Sequence, residues 1–249
     1  MQPRGQVTPY GGLALAHPLA RGLDLFRAID RGVPLLKLHL PYHESDHFLT
    51  HTYNLFVGGT CIEDIASLQA SEAFQGLVGA CRVPDPTTAG DFLRRFHPVA
   101  LAQLQTVFDD THEKVWRALP RTRRRVATVD LDSTIKEVYG ECKQGADFSY
   151  TGKWSYHPLL ISLQETNECL RLSNRPGNHT SMDGADGPLA AVLERLVRHF
   201  GEVRVRGDSA CYDQKLIRAC ESQPSVRFAF VMKSCPALVA LAEALPPEA

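Results

Sequence analysis

Apolar positions recur with two different periods along this chain, and the change falls near residue 125. Before it the spacing is helical. "LDLFRAIDRG" (23–32) has helical spacing and a terminal Gly. "ESDHFLTHTYNLFVGG" (44–59) has an acidic first turn and a double-Gly stop, and "CIEDIASLQASEAFQGLVGA" (61–80) predicts two helices broken near Ser71. In "VPDPTTAGDFLRRFHPVALAQLQTVFDDTHEKVWRAL" (83–119) a Thr cap at 87 or 88 opens a short helix to Phe96, and a long amphipathic helix follows the His97-Pro98 turn. Two helices across a tight turn suit a helix-turn-helix DNA reader, although bundle packing is the commoner use of such a pair.

After Arg125 the texture is that of strands. In "RVATVDLDST" (125–134), Ala127, Val129 and Leu131 alternate with Val126, Thr128, Asp130 and Asp132. "YHPLLISLQET" (156–166) and "CLRLSNR" (169–175) predict a hairpin across a short Asn-Glu turn. Next come a helix (186–200), a strand "EVRVRGDSA" (202–210) ending in an acid, a helix (213–222), a strand "RFAFVMKS" (227–234) and a helix (236–245). The order β, hairpin, α, β, α, β, α implies an α/β fold with a mixed sheet and flanking helices. It is preceded by an all-α part. The expected division is 1–120 helical and 121–249 α/β.

One strand therefore presents two carboxylates, Asp130 and Asp132, on the face opposite its apolar side. Side by side they repel, so they are either solvated or held by a cation. In a sheet of this kind functional groups gather at the carboxyl ends of parallel strands. Asp130 and Asp132 lie toward the end of the first strand, and Asp208 ends "VRVRGD". If those strands are neighbours, the acids converge as two-metal phosphoryl transfer requires, with hard oxygen ligands suited to Mg²⁺ or Mn²⁺.

Bulk numbers limit the alternatives. The 249 residues are 44% hydrophobic and 22% charged, enough for a sizeable core, and net charge is −1. Residues 1–125 carry 14 Lys+Arg against 12 Asp+Glu, and the remainder 13 against 16, so no general basic signature for nucleic acid exists. The acidic second part suits a polyanion only where metal neutralises some of its acids. Seven scattered cysteines without a C-x-x-C pair, and no secretory pattern in "MQPRGQVTPYGG", predict reduced thiols in the cytoplasm. No apolar run approaches a membrane span.

The order of elements, with acids at these two places, resembles the ribonuclease-H-like core of DDE transposases. The chain is most similar to the bacterial insertion-sequence family thirteen-eighty. The matching segments are "TPYGGLAL" (8–15), "YHESDH" (42–47), "GGTCIEDI" (58–65), "VPDPTTAGDFLRRF" (83–96), "VDLDST" (129–134), "YGECKQGA" (139–146), "YTGKWSYHPLL" (150–160), "NRPGN" (174–178) and "RGDSA" (206–210). They run in order over nearly the whole chain. The resemblance implies Asp132 and Asp208 as the first two catalytic acids and metal ligands, with Asp130 an auxiliary or competing acid and a further metal ligand. It implies a two-metal Mg²⁺ or Mn²⁺ site. Implied partners are DNA (terminal inverted repeats and target) and other copies of the chain on that DNA, with nucleoid association when bound. The family's third acid is a Glu on a helix after the last core strand and an inserted β-rich segment. The chain is expected to stop short of it, since Glu243 in "LVALAEAL" reads as a helix packed on the sheet. The expected product is then a partial, inactive transposase, or a DNA-binding remnant occupying the element ends.

Other residues suggest lesser roles. "HESDH" (43–47) spells the H-E-x-x-H zinc-peptidase string, but it sits at an expected helix N-terminus, where Glu44 and Asp46 suit the macrodipole. Arg121, Arg123, Arg124 and Arg125 either contact phosphates or form a solvated linker. Lys153, His157, Arg175 and Asn178 are candidates to line a substrate groove, and Gly177 serves a turn. Arg206 is a DNA-contact candidate that either orients Asp208 or only pairs with it. Trp154 and Tyr156 are base-stacking candidates, against the commoner core role.

Overall fold

The computed structural model describes residues 9–80, 82–140, 142–232 and 234–245. Thr8, Glu141 and Lys233, each within a segment quoted above, lie outside them. The chain divides into two compact units, Met1–Val115 and Trp116–Ala249.

The first unit is helical: α1 (Leu13–Gly22), α2 (Leu25–Gly32), α3 (Glu44–Phe56), α4 (Ile65–Gln69), α5 (Glu72–Val78), α6 (Pro86–Leu93) and α7 (Pro98–Ala118), whose last turn belongs to the second unit. The break at Ser71 is a cap: its hydroxyl accepts from Phe74 N–H and opens α5. Gly79, at φ +66°, ends that helix in the left-handed region that glycine tolerates. The expected Thr cap of α6 is corrected. Asp85 is the cap, its carboxylate accepting from the N–H groups of Thr87 (3.0 Å) and Thr88 (3.1 Å), while Pro86 takes the first helical position. Two apolar clusters hold this unit, one around Leu49, Tyr53, Leu68 and Phe74, the other around Ile29, Val33, Ala100 and Val107.

The second unit is built on a five-stranded sheet. Its strands are β1 (Val126–Ser133), β5 (Leu159–Leu163), β6 (Glu168–Ser173), β7 (Glu202–Gly207) and β8 (Val226–Phe230). Their order is β6-β5-β1-β7-β8, with β1, β7 and β8 mutually parallel and β5 antiparallel to both β1 and β6. This is the ribonuclease-H-like α/β arrangement. Asn167, at φ +55°, turns the hairpin. Helices α8 (Asp186–Leu196), α9 (Gln214–Glu221) and α10 (Pro236–Glu243) complete it.

Alternation determines the core. Ala127, Val129 and Leu131 of β1, Leu159, Ile161 and Leu163 of β5, and Val203 and Val205 of β7 are buried with Leu189, Leu193 and Leu196 of α8. Each large side chain there contributes about 1.5–3 kcal/mol by leaving water. The opposite faces of β1 and β7 are free to carry charge.

A second, three-stranded sheet, β2 (Lys136–Glu137), β4 (Trp154–Tyr156) and β3 (Asp147–Phe148) in the order β2-β4-β3, has no sequence signal, because two- and three-residue strands are too short to alternate. It corrects the expected strand over 156–166. Pro158 lacks the N–H a ladder needs, so Tyr156 ends one sheet and Leu159 begins the other.

Candidate active site

β1 and β7 pair in parallel with Asp130 opposite Arg206. Extending that register by two residues sets Asp132 opposite Asp208, whose backbone is still extended (φ −74°, ψ −169°). Neighbouring strands lie about 4.8 Å apart, so both residues stand at the carboxyl end of the pair. Both are exposed, and both line one cavity of about 440 Å³ with Ser133, Thr134, Tyr150, His157 and Ser181. Asp132 accepts from Ser133 N–H (2.7 Å). Asp208 caps the turn after β7, accepting from Ala210 N–H (2.9 Å). Each therefore keeps acceptor capacity facing the cavity.

The walls are fixed by buried polar contacts. His157 is 3% exposed; its Nδ1 lies 2.9 Å from the His179 carbonyl and its Nε2 3.1 Å from Ser133 Oγ. A carbonyl only accepts, so Nδ1 carries the proton and, in the neutral ring, Nε2 accepts from the Ser133 hydroxyl. Arg175 donates from Nε to His157 O, from Nη1 to Asp183 O and from Nη2 to Ser181 O, tying the 175–183 loop to the site. Burial lowers its pKa, with Asp183 opposing. Beneath Asp208, Gly207 packs so tightly on Cys211 that a Cβ there would collide with the Cys211 Cβ and Sγ. The Cys211 thiol is fully buried and pushed up to about 11, chiefly by burial and then by the charge of Asp208, with a lesser push from Asp132.

Residues 4–249 match the family described as Transposase DDE domain group 1. The chain belongs to the DDE transposase domain family. No curated protein matches it. Among solved structures it is similar to the piggyBac transposase synaptic complex with hairpin DNA, at 12% identity over 92% of this chain and 54% of that one, with TM-score 0.44. It is also similar to the Mos1 strand transfer complex, at 9% identity over 80% of this chain and 64% of that one, with TM-score 0.27. This DDE transposase domain thus spans about half the length of the piggyBac chain.

The remaining sequence candidates of this domain fall in several places. Asp130 is held by Arg206 in a two-pronged ion pair, Nε–Oδ1 2.8 Å and Nη2–Oδ2 2.8 Å. Arg206 therefore pairs with Asp130, not Asp208. Arg175 is corrected from groove residue to wall, since its buried guanidinium is spent on three carbonyls. Lys153 is exposed and bonded to Glu137 (2.8 Å). Arg121, Arg123 and Arg125 are exposed in and after a 3-10 turn before β1, and Arg124 is half-buried. Asn178 donates to Asp147 (2.7 Å). Gly177 fits because a Cβ would strike Asp147 O and Ser155. Glu243 is exposed on α10 and lines no part of the cavity among the described residues. Trp154 packs on Phe148 at 5.2 Å between centroids, a structural contact.

The "HESDH" string does not assemble as two helix-borne ligands. His43 is the residue before α3, whereas His47 is 3% exposed and stacked on Phe92 at 4.5 Å and 7°. Ser133 is not among the sequence candidates, and its pairing with His157 joins residues 24 positions apart. The signal available was the hydroxyl following Asp132, in "DST".

Proposed function

We propose that this chain supplies the two-acid part of the catalytic centre for DNA transposition of an insertion sequence. In that chemistry water attacks a phosphodiester at the element's end, and the freed 3′-hydroxyl then attacks target DNA. The observation that carries the reading is the meeting of Asp132 and Asp208 over one cavity at the end of adjacent parallel strands. The donor set fits a hard divalent cation, because both carboxylates are accessible and the nearby groups are hydroxyls rather than thiols. Asp132 and Asp208 would hold Mg²⁺ or Mn²⁺, which when bound neutralises charge building on the phosphoryl oxygens. Ser133, held by His157, gives the cavity an oriented hydroxyl beside Asp132. Arg121, Arg123, Arg125 and Lys153 are the proposed phosphate contacts, engaging terminal repeats and target DNA with other copies of the chain.

A non-catalytic, DNA-occupying role is favoured for residues 1–249 acting alone. Among the described residues the cavity lining includes two carboxylates, and Asp130 is committed to Arg206. A second metal needs its own acid, and losing such a ligand costs several powers of ten in rate. The test is an end-cleavage assay on DNA carrying the element's termini with Mg²⁺ or Mn²⁺. The expected result is salt-sensitive binding without strand cleavage. Robust cleavage that disappears in Asp208→Asn would show a complete acid set within these residues, with Glu243 the first to be substituted.

A further inference from the structure

The first unit holds a group of ligands unrelated to the carboxylates over the sheet. His39, His43 and Glu44 each bring one ligand atom within 4.8 Å of the others. Glu44 is fully buried at the start of α3, a helix of 13 residues. Its Oε1 accepts from Leu35 N–H (2.9 Å) and Leu36 N–H (2.8 Å). Burial raises its pKa, but the backbone N–H groups of Leu36, Glu44 itself and Leu35, with His39, outweigh burial and the net shift is downward. Two backbone N–H donors on one oxygen suit a carboxylate in its charged form. Its second oxygen, Oε2, is buried without a hydrogen bond, although His39 Nδ1 lies 3.3 Å away as an ion-pair contact. A buried carboxylate oxygen without a hydrogen bond is costly and calls for a cation. The exposed rings of His39 and His43 lie on its open side, near-parallel with centroids 5.4 Å apart.

We propose that His39, His43 and Glu44 bind a divalent transition-metal ion of the zinc class, pinning the loop before α3 to that helix. Two imidazoles and one carboxylate favour such ions over Mg²⁺. An ion bonded at about 2.0–2.1 Å spaces tetrahedral ligands by about 3.3 Å, which the His39–Glu44 pair already matches. Rotation of the exposed His43 ring supplies the third bond, and water completes the set. His47, directed into the core, has no part, so the site is not that of the H-E-x-x-H peptidases.

The experiment uses untagged, chelator-stripped protein, with Zn²⁺ binding followed by calorimetry and Co²⁺ by absorption. Expected is a Zn²⁺ site weakened at least about tenfold in both His39→Ala and His43→Ala, and unchanged in Glu72→Gln. Co²⁺ should give ligand-field bands without thiolate charge transfer, and Zn²⁺ should raise the melting temperature of the wild type but not of His39→Ala. Because His39 is exposed, its variant folds, checked by far-UV circular dichroism. Absence of binding, binding indifferent to His39→Ala, or thiolate bands at the Co²⁺ site would each overturn the proposal.

Discussion

Two strings of this chain spell metal chemistry, "HESDH" before and within α3 and "VDLDST" along β1, and folding treats them oppositely. In the first, the outer residues part: His43 stays in solvent, while His47 is stacked on Phe92 inside the first unit. In the second, nothing is withdrawn. Asp132 stays exposed and meets Asp208 across a cavity, while Asp130, one step back on the same face, is neutralised by Arg206. A helix places i and i+4 on one face only where both belong to it, and His43 precedes the first turn. A strand needs no such condition, since period two keeps alternate residues on one face throughout.

The largest effect that would break this contrast concerns His47. Burial first, then the charges of His51 and Arg95, lower its pKa from 6.5 to about 4, with Glu44 opposing. The sign follows. Above pH 6.5 neither folded nor unfolded ring is protonated and His47 contributes no pH dependence. Between 6.5 and 4 only the unfolded chain takes up the proton, so stability falls with pH, by roughly 3 kcal/mol in all. Urea unfolding of wild type and His47→Gln should show their stability gap narrowing by that amount from pH 7 to pH 4. A constant gap would mean that the ring is not held neutral in the core.

Much of this was legible beforehand, and the exceptions have physical causes. The order of the five strands of the main sheet and of the helices in the second unit followed from period, because Ala127, Val129 and Leu131 of β1 are buried while Asp130 and Asp132 on its other face are not. So did the placement of Asp132 and Asp208 toward the carboxyl ends of β1 and β7. What stayed hidden depends on contacts between distant residues. The Asp130–Arg206 pair joins residues 76 positions apart and exists only because the β1–β7 register sets them opposite. Arg175 carried the charge of a DNA contact, but its role is set by three carbonyls that no spacing rule predicts. The small sheet was illegible because its strands fall below the length at which a period exists.

A second test sharpens the open end of the contrast. Asp132→Asn and Asp208→Asn should each weaken Mn²⁺ binding at least about tenfold, read by electron paramagnetic resonance, since each removes a proposed ligand outright. If one variant binds as the wild type does, the two carboxylates do not share an ion.

The smallest effect belongs to the neutralised step. Asp130→Asn frees the Arg206 guanidinium beside the site, and Mn²⁺ affinity should fall only about two- to fivefold at low salt, because exposed charges are well screened. The difference should fade as salt is added. A loss as large as that of Asp132→Asn would instead make Asp130 a ligand and redraw the boundary between the paired and open acids.

The tight seat of Cys211 under Gly207 has a use beyond holding Asp208. A fully buried thiol whose pKa is pushed up to about 11 is almost inert to alkylating reagents at neutral pH. Cys61, Cys142, Cys169 and Cys235 are exposed and react first. Slow labelling of Cys211 therefore counts the moments when the turn after β7 opens, as amide exchange does for backbone groups. The rate of that labelling, followed by mass spectrometry with and without Mn²⁺, is a built-in clock for how firmly a bound ion or DNA clamps the end of β7.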